Sequence, residues 1–170
     1  MPVRADTDIS TRPTVLFVDD ESMLLSSLQR LLRREPFTIL LAVSAREAME
    51  IMARTPVDVL VVDLQMPDID GYELLSRVEV LHPQTVCLVM SAVADKEKVE
   101  EVVRHRHVFK FIAKPIHPDV LKRVIRDSVC RRSGGVEPPE TIISPEHLML
   151  CKEHLSKTEF TQAFNEKYVC

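Results

Sequence analysis

The stretch VLVVDLQMPDIDGYELL, residues 59–75, poses the problem of the whole chain. A run of aliphatic residues, Val59 to Val62, ends in a single carboxylate, Asp63. A polar turn containing Pro67 follows, Gly71 stands where the chain must bend before the next helix, and from Tyr72 the leucines fall at helical spacing. A short, continuous apolar run bounded by a turn reads as a strand buried on both faces. The chain therefore carries an aspartate out on the tip of a buried strand.

Outward from this stretch the same alternation repeats. Upstream, TVLFV (14–18) reads as a strand, SMLLSSLQRLLRR (22–34) as a helix and FTILLAV (37–43) as a second strand. Ser44, with Glu47 three residues on, predicts a capping box for the helix AREAMEIMART. The central unit is a strand over 57–62 and a helix over 72–81. Downstream, TVCLVM (85–90) and VFKFI (108–112) read as strands, with DKEKVEEVVRH (95–105) and PDVLKRVIRDSVCRR (118–132) as helices. Strands that are apolar on both faces, alternating with amphipathic helices, predict an α/β fold with a parallel sheet covered on both sides. Right-handed crossovers reduce the choice to a five-stranded doubly wound sheet of flavodoxin-like (βα)5 type, with a short C-terminal helical extension. Its working crevice lies at the carboxyl ends of the strands.

The organisation expected is a lead-in over 1–13, a domain over 14–132, a Gly/Pro linker over 133–143 and a short helical tail over 144–170. Two of the three glycines of the protein fall in that linker. In the tail, Leu148, Cys151 and Leu155 fall on one face, and Phe160, Ala163, Phe164 and Tyr168 repeat the idea. Two short amphipathic helices make no core of their own, so they require the main domain, a partner or a second copy, which makes a homodimer one of the expected states. A net charge of -4 excludes an overall field that recruits nucleic acid. The four cysteines show no metal-ligand spacing, and no apolar run is long enough to span a bilayer. A reduced, cytoplasmic protein without membrane contact is the expectation.

Five polar residues fall at predicted strand ends: Asp19 and Asp20 at the first, Asp63 at the third, Ser91 at the fourth and Lys114 at the fifth. Singly, each has an ordinary reading; Asp20, for instance, suits a cap for the helix beginning near Ser22. Together they converge on one crevice. Clustered carboxylates repel one another unless a cation intervenes, and hard oxygen ligands suit Mg²⁺, which keeps waters and accepts phosphate oxygens. A carboxylate beside Mg²⁺ is equipped to attack a phosphoryl group and form an aspartyl phosphate.

The motifs VDDE (18–21), VVDLQMPDIDG (61–71), MSA (90–92) and FIAKP (111–115), in this order and spacing, resemble the receiver domain of bacterial two-component response regulators, over about residues 14–132. The resemblance implies that Asp63 is the phosphoacceptor. It implies that Asp19, Asp20, Asp63 and the backbone carbonyl of Gln65 hold Mg²⁺, and that Lys114 pairs with the phosphoryl group. Ser91 and Phe111 become a switch pair, and the Lys114–Pro115 bond is expected to be cis. The role implied is a signalling one rather than that of an enzyme. The phosphoryl donor is a sensor histidine kinase or a phosphotransfer protein, since none of the six histidines suits a kinase phosphodonor.

Some positions depart from the common pattern. RHRHVFKF replaces the usual Gly-Ala step before the fifth strand, a variant similar to receivers joined to HD-type phosphohydrolase domains. Phe111 stands where many relatives have Tyr. Val93, two residues after Ser91, offers nothing to orient a hydrolytic water, whereas Gln65 does; a fairly long-lived phosphate is the expectation. Residues 133–170 contain six Glu and three Lys and no other ionised side chains apart from histidines, which argues against a DNA-contacting module. Output by contact with a downstream protein target is the first reading. A phosphate reservoir or relay intermediate is the second, and a receiver cut from a longer regulator the third. A haloacid-dehalogenase-type phosphohydrolase needs Asp-x-Asp after the first strand, which the adjacent Asp19 and Asp20 do not supply.

Overall fold

In the computed structural model, residues 12–67, 71–92 and 108–134 are described. Five parallel strands form one sheet: β1 (Thr14–Val18), β2 (Thr38–Ala42), β3 (Val59–Asp63), β4 (Val86–Ala92) and β5 (Val108–Lys114). Four described helices flank them: α1 (Ser22–Leu32), α2 (Ala45–Met52), α3 (Gly71–Leu81) and α4 (Pro118–Arg132). The strand order is β2-β1-β3-β4-β5. Chain progression thus reverses its direction across the sheet between β1 and β3, the switch point at which such sheets open a crevice. The expected helix over 95–105, the tail over 144–170 and Val93 lie outside the described residues.

The core explains why these elements form. Val15 to Val18 and Val59 to Val62 are wholly buried, as are Cys87 to Met90, because helices cover both faces of the central strands. Helix α1 delivers Leu25, Leu28 and Leu32 to that core, and α4 delivers Leu121, Val124 and Ile125. At α2 the capping box forms in a shifted version. The Glu47 N–H donates to Ser44 Oγ at 3.2 Å, while Glu47 Oε2 accepts from the N–H of Val43, one residue before the cap.

Several boundaries differ from those expected, and the differences bear on function. Asp63, Ser91 and Lys114 are strand residues, not the first residues beyond their strands. The parallel ladder runs on through Asp63↔Met90, Ser91↔Ala113 and Ala92↔Lys114. Ladder hydrogen bonds use backbone groups and are indifferent to side-chain polarity. The strand ends therefore hold these side chains on regular structure rather than on loops.

Candidate functional site

Asp19 is the first residue after β1, and its N–H donates to the Ala42 carbonyl at 3.1 Å, prolonging the contact with β2. Its Oδ1 then accepts the N–H of Glu21 at 2.8 Å, an Asx turn that bends the chain into α1. Asp63, at the tip of β3, repeats the device: its Oδ1 accepts the N–H of Gln65 at 3.0 Å. Two neighbouring strand ends thus hold their carboxylates by the same local bond. Asp20 is not a helix cap. The N-cap position of α1 is Glu21 and carries no side-chain cap bond. Because the Asx bond of Asp19 already makes the turn, Asp20 is left exposed beside its neighbours.

The three carboxylates come together, with one oxygen from each of Asp19, Asp20 and Asp63 lying within 4.8 Å of the others. Asp19 is fully buried and Asp63 is 4% exposed. Lys114 joins them from β5, at the far side of β4. Its Nζ donates to Asp63 Oδ2 at 2.6 Å and to Asp19 Oδ2 at 2.9 Å. The Lys114–Pro115 bond is cis, as expected. Ser91 is buried on β4, paired in register with Ala113, and Phe111 is buried on β5 opposite Val89. Gln65 is exposed, at the turn beyond Asp63.

One cation between two buried anions produces an uneven balance. Burial pushes the Asp63 carboxyl above the ordinary aspartate value of 3.8, against the hydrogen bonds and charge of Lys114 and Gln65 that pull it down, while the Asp19 charge pushes it up again. Burial alone lowers the pKa of Lys114, but the hydrogen bonds and charges of Asp19 and Asp63 outweigh it and hold the ammonium above 10.5. The two shifts are consistent: Lys114 gains from two carboxylates, whereas Asp63 shares the Lys114 ammonium with a like charge. A second cation relieves that excess. Three hard carboxylate oxygens, one of them open to solvent, form a donor set that fits Mg²⁺ with waters completing its shell.

The sequence reading missed one residue, Gly71. It took this glycine for a bend before the helix, yet Gly71 is the first residue of α3 and packs directly on the main chain of Asp63 and Leu64. The signal was its place at the end of the motif VVDLQMPDIDG, eight residues after Asp63 in the sequence; the contact itself requires the third dimension.

Comparison with known proteins agrees with this geometry. The family described as response regulator receiver domain matches residues 15–126. The hydrogenase transcriptional regulatory protein HoxA of Cupriavidus necator is 37% identical over 116 residues, which is 68% of this chain and 24% of that protein. The transcriptional regulatory protein GlrR of Escherichia coli is 27% identical over 80% of this chain and 31% of its own length. The chain thus spans about a quarter to a third of these regulators. Among solved structures, the signal receiver domain of an HD domain-containing protein from Pseudomonas fluorescens Pf-5 superimposes with a TM-score of 0.69 at 25% identity, over 72% of this chain and 98% of that one. A CheY-like receiver domain protein from Methanospirillum hungatei shares the fold with a TM-score of 0.68 at 23% identity, over the same shares. The acidic switch-point crevice, the strand order and these likenesses converge: the chain belongs to the response regulator receiver domain family.

Proposed function

We propose that this chain receives a phosphoryl group on Asp63 from the phosphohistidine of a sensor kinase or phosphotransfer protein. The observation that carries the reading is the double hydrogen bond of Lys114 to Asp19 and Asp63 inside the three-carboxylate cluster. A carboxylate oxygen of Asp63 attacks phosphorus, the P–N bond of the donor breaks, and its electron pair stays on the imidazole. A buried carboxylate raised in pKa is a poorly solvated and correspondingly strong nucleophile. Lys114 already stands within 2.6 Å of that carboxylate and moves its hydrogen bond to an incoming phosphoryl oxygen. Asp19, Asp20, Asp63 and the Gln65 carbonyl would hold Mg²⁺, and the clustering of the three carboxylates supports this. Bound there, Mg²⁺ supplies charge neutralisation for the transferring oxygens.

Ser91 and Phe111, on adjacent strands next to the crevice, are the proposed switch pair. The phosphoryl group adds nearly two negative charges beside Ser91, enough to bias which conformation the hydroxyl and the neighbouring ring adopt. Output then runs through protein contact, with the face over about 95–132 responding and the tail over 144–170 docking, dimerising or binding a target. The domain limits assigned to this function are 14–132. The absence of any orienting polar group at Val93 supports a long-lived phosphate, and Val93→Glu is expected to shorten its half-life. A second reading, a receiver within a longer regulator, is favoured by the relatives, of which this chain matches only 24% to 31%.

The test is the intact mass of the full chain after incubation with Mg²⁺ and acetyl phosphate. A gain of one phosphoryl group by the wild type and none by Asp63→Asn is the expected result. A gain by Asp63→Asn, or none by the wild type in Mg²⁺, overturns the assignment.

A further inference from the structure

We infer that Gly71 is a positioning residue for phosphoryl transfer, holding the Asp63 main chain at the height at which its carboxylate meets Lys114. The inference rests on the reading of Asp63 as acceptor. An ideal Cβ at Gly71 lies 2.5 Å from the Asp63 carbonyl oxygen, 2.8 Å from Leu64 Cα and 3.2 Å from the Asp63 carbonyl carbon. All three are backbone atoms, so no side chain can rotate away. The contact is short of ordinary non-bonded separation by about 1 Å. Either α3 or the tip of β3 has to move if residue 71 acquires a side chain.

The packing decides which of the two moves. Helix α3 is anchored by Tyr72, Leu74, Leu75 and Val78, all buried in the core. The middle of β3 is held on both sides, by β1 and by β4, but the β1 register ends at Val18↔Val62. Asp63 pairs only with Met90, and the Leu64 N–H reaches the Met90 carbonyl at 3.3 Å, near the long limit of a hydrogen bond. The Asp63–Leu64 peptide lies at the end of β3, beyond the last pairing with β1, and is the partner that gives way. A methyl group at residue 71 displaces that peptide and carries the Asp63 carboxylate with it. A shift of about 1 Å is enough to break its 2.6 Å bond to Lys114. Misplacing a reacting group by that distance costs on the order of 100-fold in rate.

The experiment compares wild type, Gly71→Ala and Val78→Ala as full chains. Phosphoryl uptake from acetyl phosphate is followed by intact mass, Mg²⁺ affinity by calorimetry and Tm by circular dichroism. Val78 is buried on the same helix about two turns beyond Gly71, so Val78→Ala reports what loosening α3 does on its own. The expected result is that Gly71→Ala takes up the phosphoryl group roughly 100-fold more slowly and binds Mg²⁺ more weakly, while Val78→Ala loses Tm with uptake and Mg²⁺ affinity unchanged. Equal slowing in both variants reduces Gly71 to a packing residue and overturns the inference. Wild-type uptake and Mg²⁺ affinity in Gly71→Ala also overturn it, with the acceptor assignment of Asp63 intact. A wild type that takes up no phosphoryl group and binds no Mg²⁺ brings down both. If Gly71→Ala does not fold, amide spectra of the wild type decide the question. The N–H signals of Gln65 and Gly71 are expected to shift together on adding Mg²⁺, and a shift confined to Gln65 overturns the contact's role.

Discussion

Asp63 and Lys114 show how far one hydrogen bond depends on its company. Ionised Asp63 is less favourable in the fold than in water, because burial and the Asp19 charge outweigh Lys114. Its raised pKa contributes stability that is present below 3.8 and lost as pH rises through the folded value, so near neutrality the Mg²⁺-free crevice is under electrostatic load. In a carbon-detected titration of the Mg²⁺-free protein, the Asp63 carboxyl is expected to titrate above 3.8, and Mg²⁺ is expected to move that midpoint down. By the same argument Mg²⁺ is expected to raise the Tm of wild type in a thermal melt, and to raise that of Asp63→Asn less. Lys114 has the same linkage sign in a higher window: its contribution is complete below 10.5 and is lost only as pH rises through its higher folded value. The cysteines diverge for a simpler reason. Burial pushes the Cys87 thiol up to about 12, whereas Cys130 is exposed. Iodoacetamide at pH 8 is expected to alkylate Cys130 in the native protein and Cys87 only after denaturation, as peptide mass mapping will show.

Among the elements, α2 is the helix whose beginning is written most plainly in the sequence. Ser44→Ala removes the oxygen that accepts the Glu47 N–H, and chemical denaturation is expected to register a loss of about 1 kcal/mol. Glu47→Ala is expected to cost less, since the Val43 N–H it satisfies is exposed and water replaces the carboxylate. The strands were harder to bound. Their apolar runs announce the buried middle, while the polar residues that end them resemble the start of a turn. Asp63, Ser91 and Lys114 nonetheless belong to the ladder, because their neighbours across the sheet continue to pair.

Across the molecule, the helix layer on one side is tied down by an ion pair far from the crevice. Arg126 on α4 donates from Nε and Nη2 to both oxygens of Glu35, at 2.9 and 3.0 Å, in the turn after α1. Glu35 is 8% exposed, so Arg126→Ala leaves a carboxylate buried without its fork. The arginine side chain is half-exposed and water reaches the gap, which holds the expected loss to about 1–2 kcal/mol. A double-mutant cycle with Glu35→Ala is expected to recover most of that loss, since the orphaned charge is then gone. Truncating the sheet itself is costlier: Leu60→Ala, at a fully buried position on the central strand, is expected to cost about 2–5 kcal/mol in the same measurement.

The alternation of aliphatic runs with amphipathic helices was enough to read the (βα)5 order, the parallel sheet and the crevice at its carboxyl edge. That information is local: period, apolarity and caps act over a few residues. The five polar residues at strand ends were legible for the same reason, since the strand rule assigns them one edge of the sheet without further detail. The details arose from contacts between residues far apart in the chain. Lys114 lies 95 residues from Asp19 and 51 from Asp63, and no short-range pattern shows that its ammonium serves both. Gly71 read as a bend because its neighbours are turn residues, but its place is fixed by the backbone of Asp63 approaching from another element. That Asp20 does not cap α1 follows from a competing bond, that of the Glu21 N–H to Asp19, which depends on geometry rather than residue type. Side-chain chemistry and period are properties of the chain; distances across the crevice exist only once the sheet has brought its strand ends together.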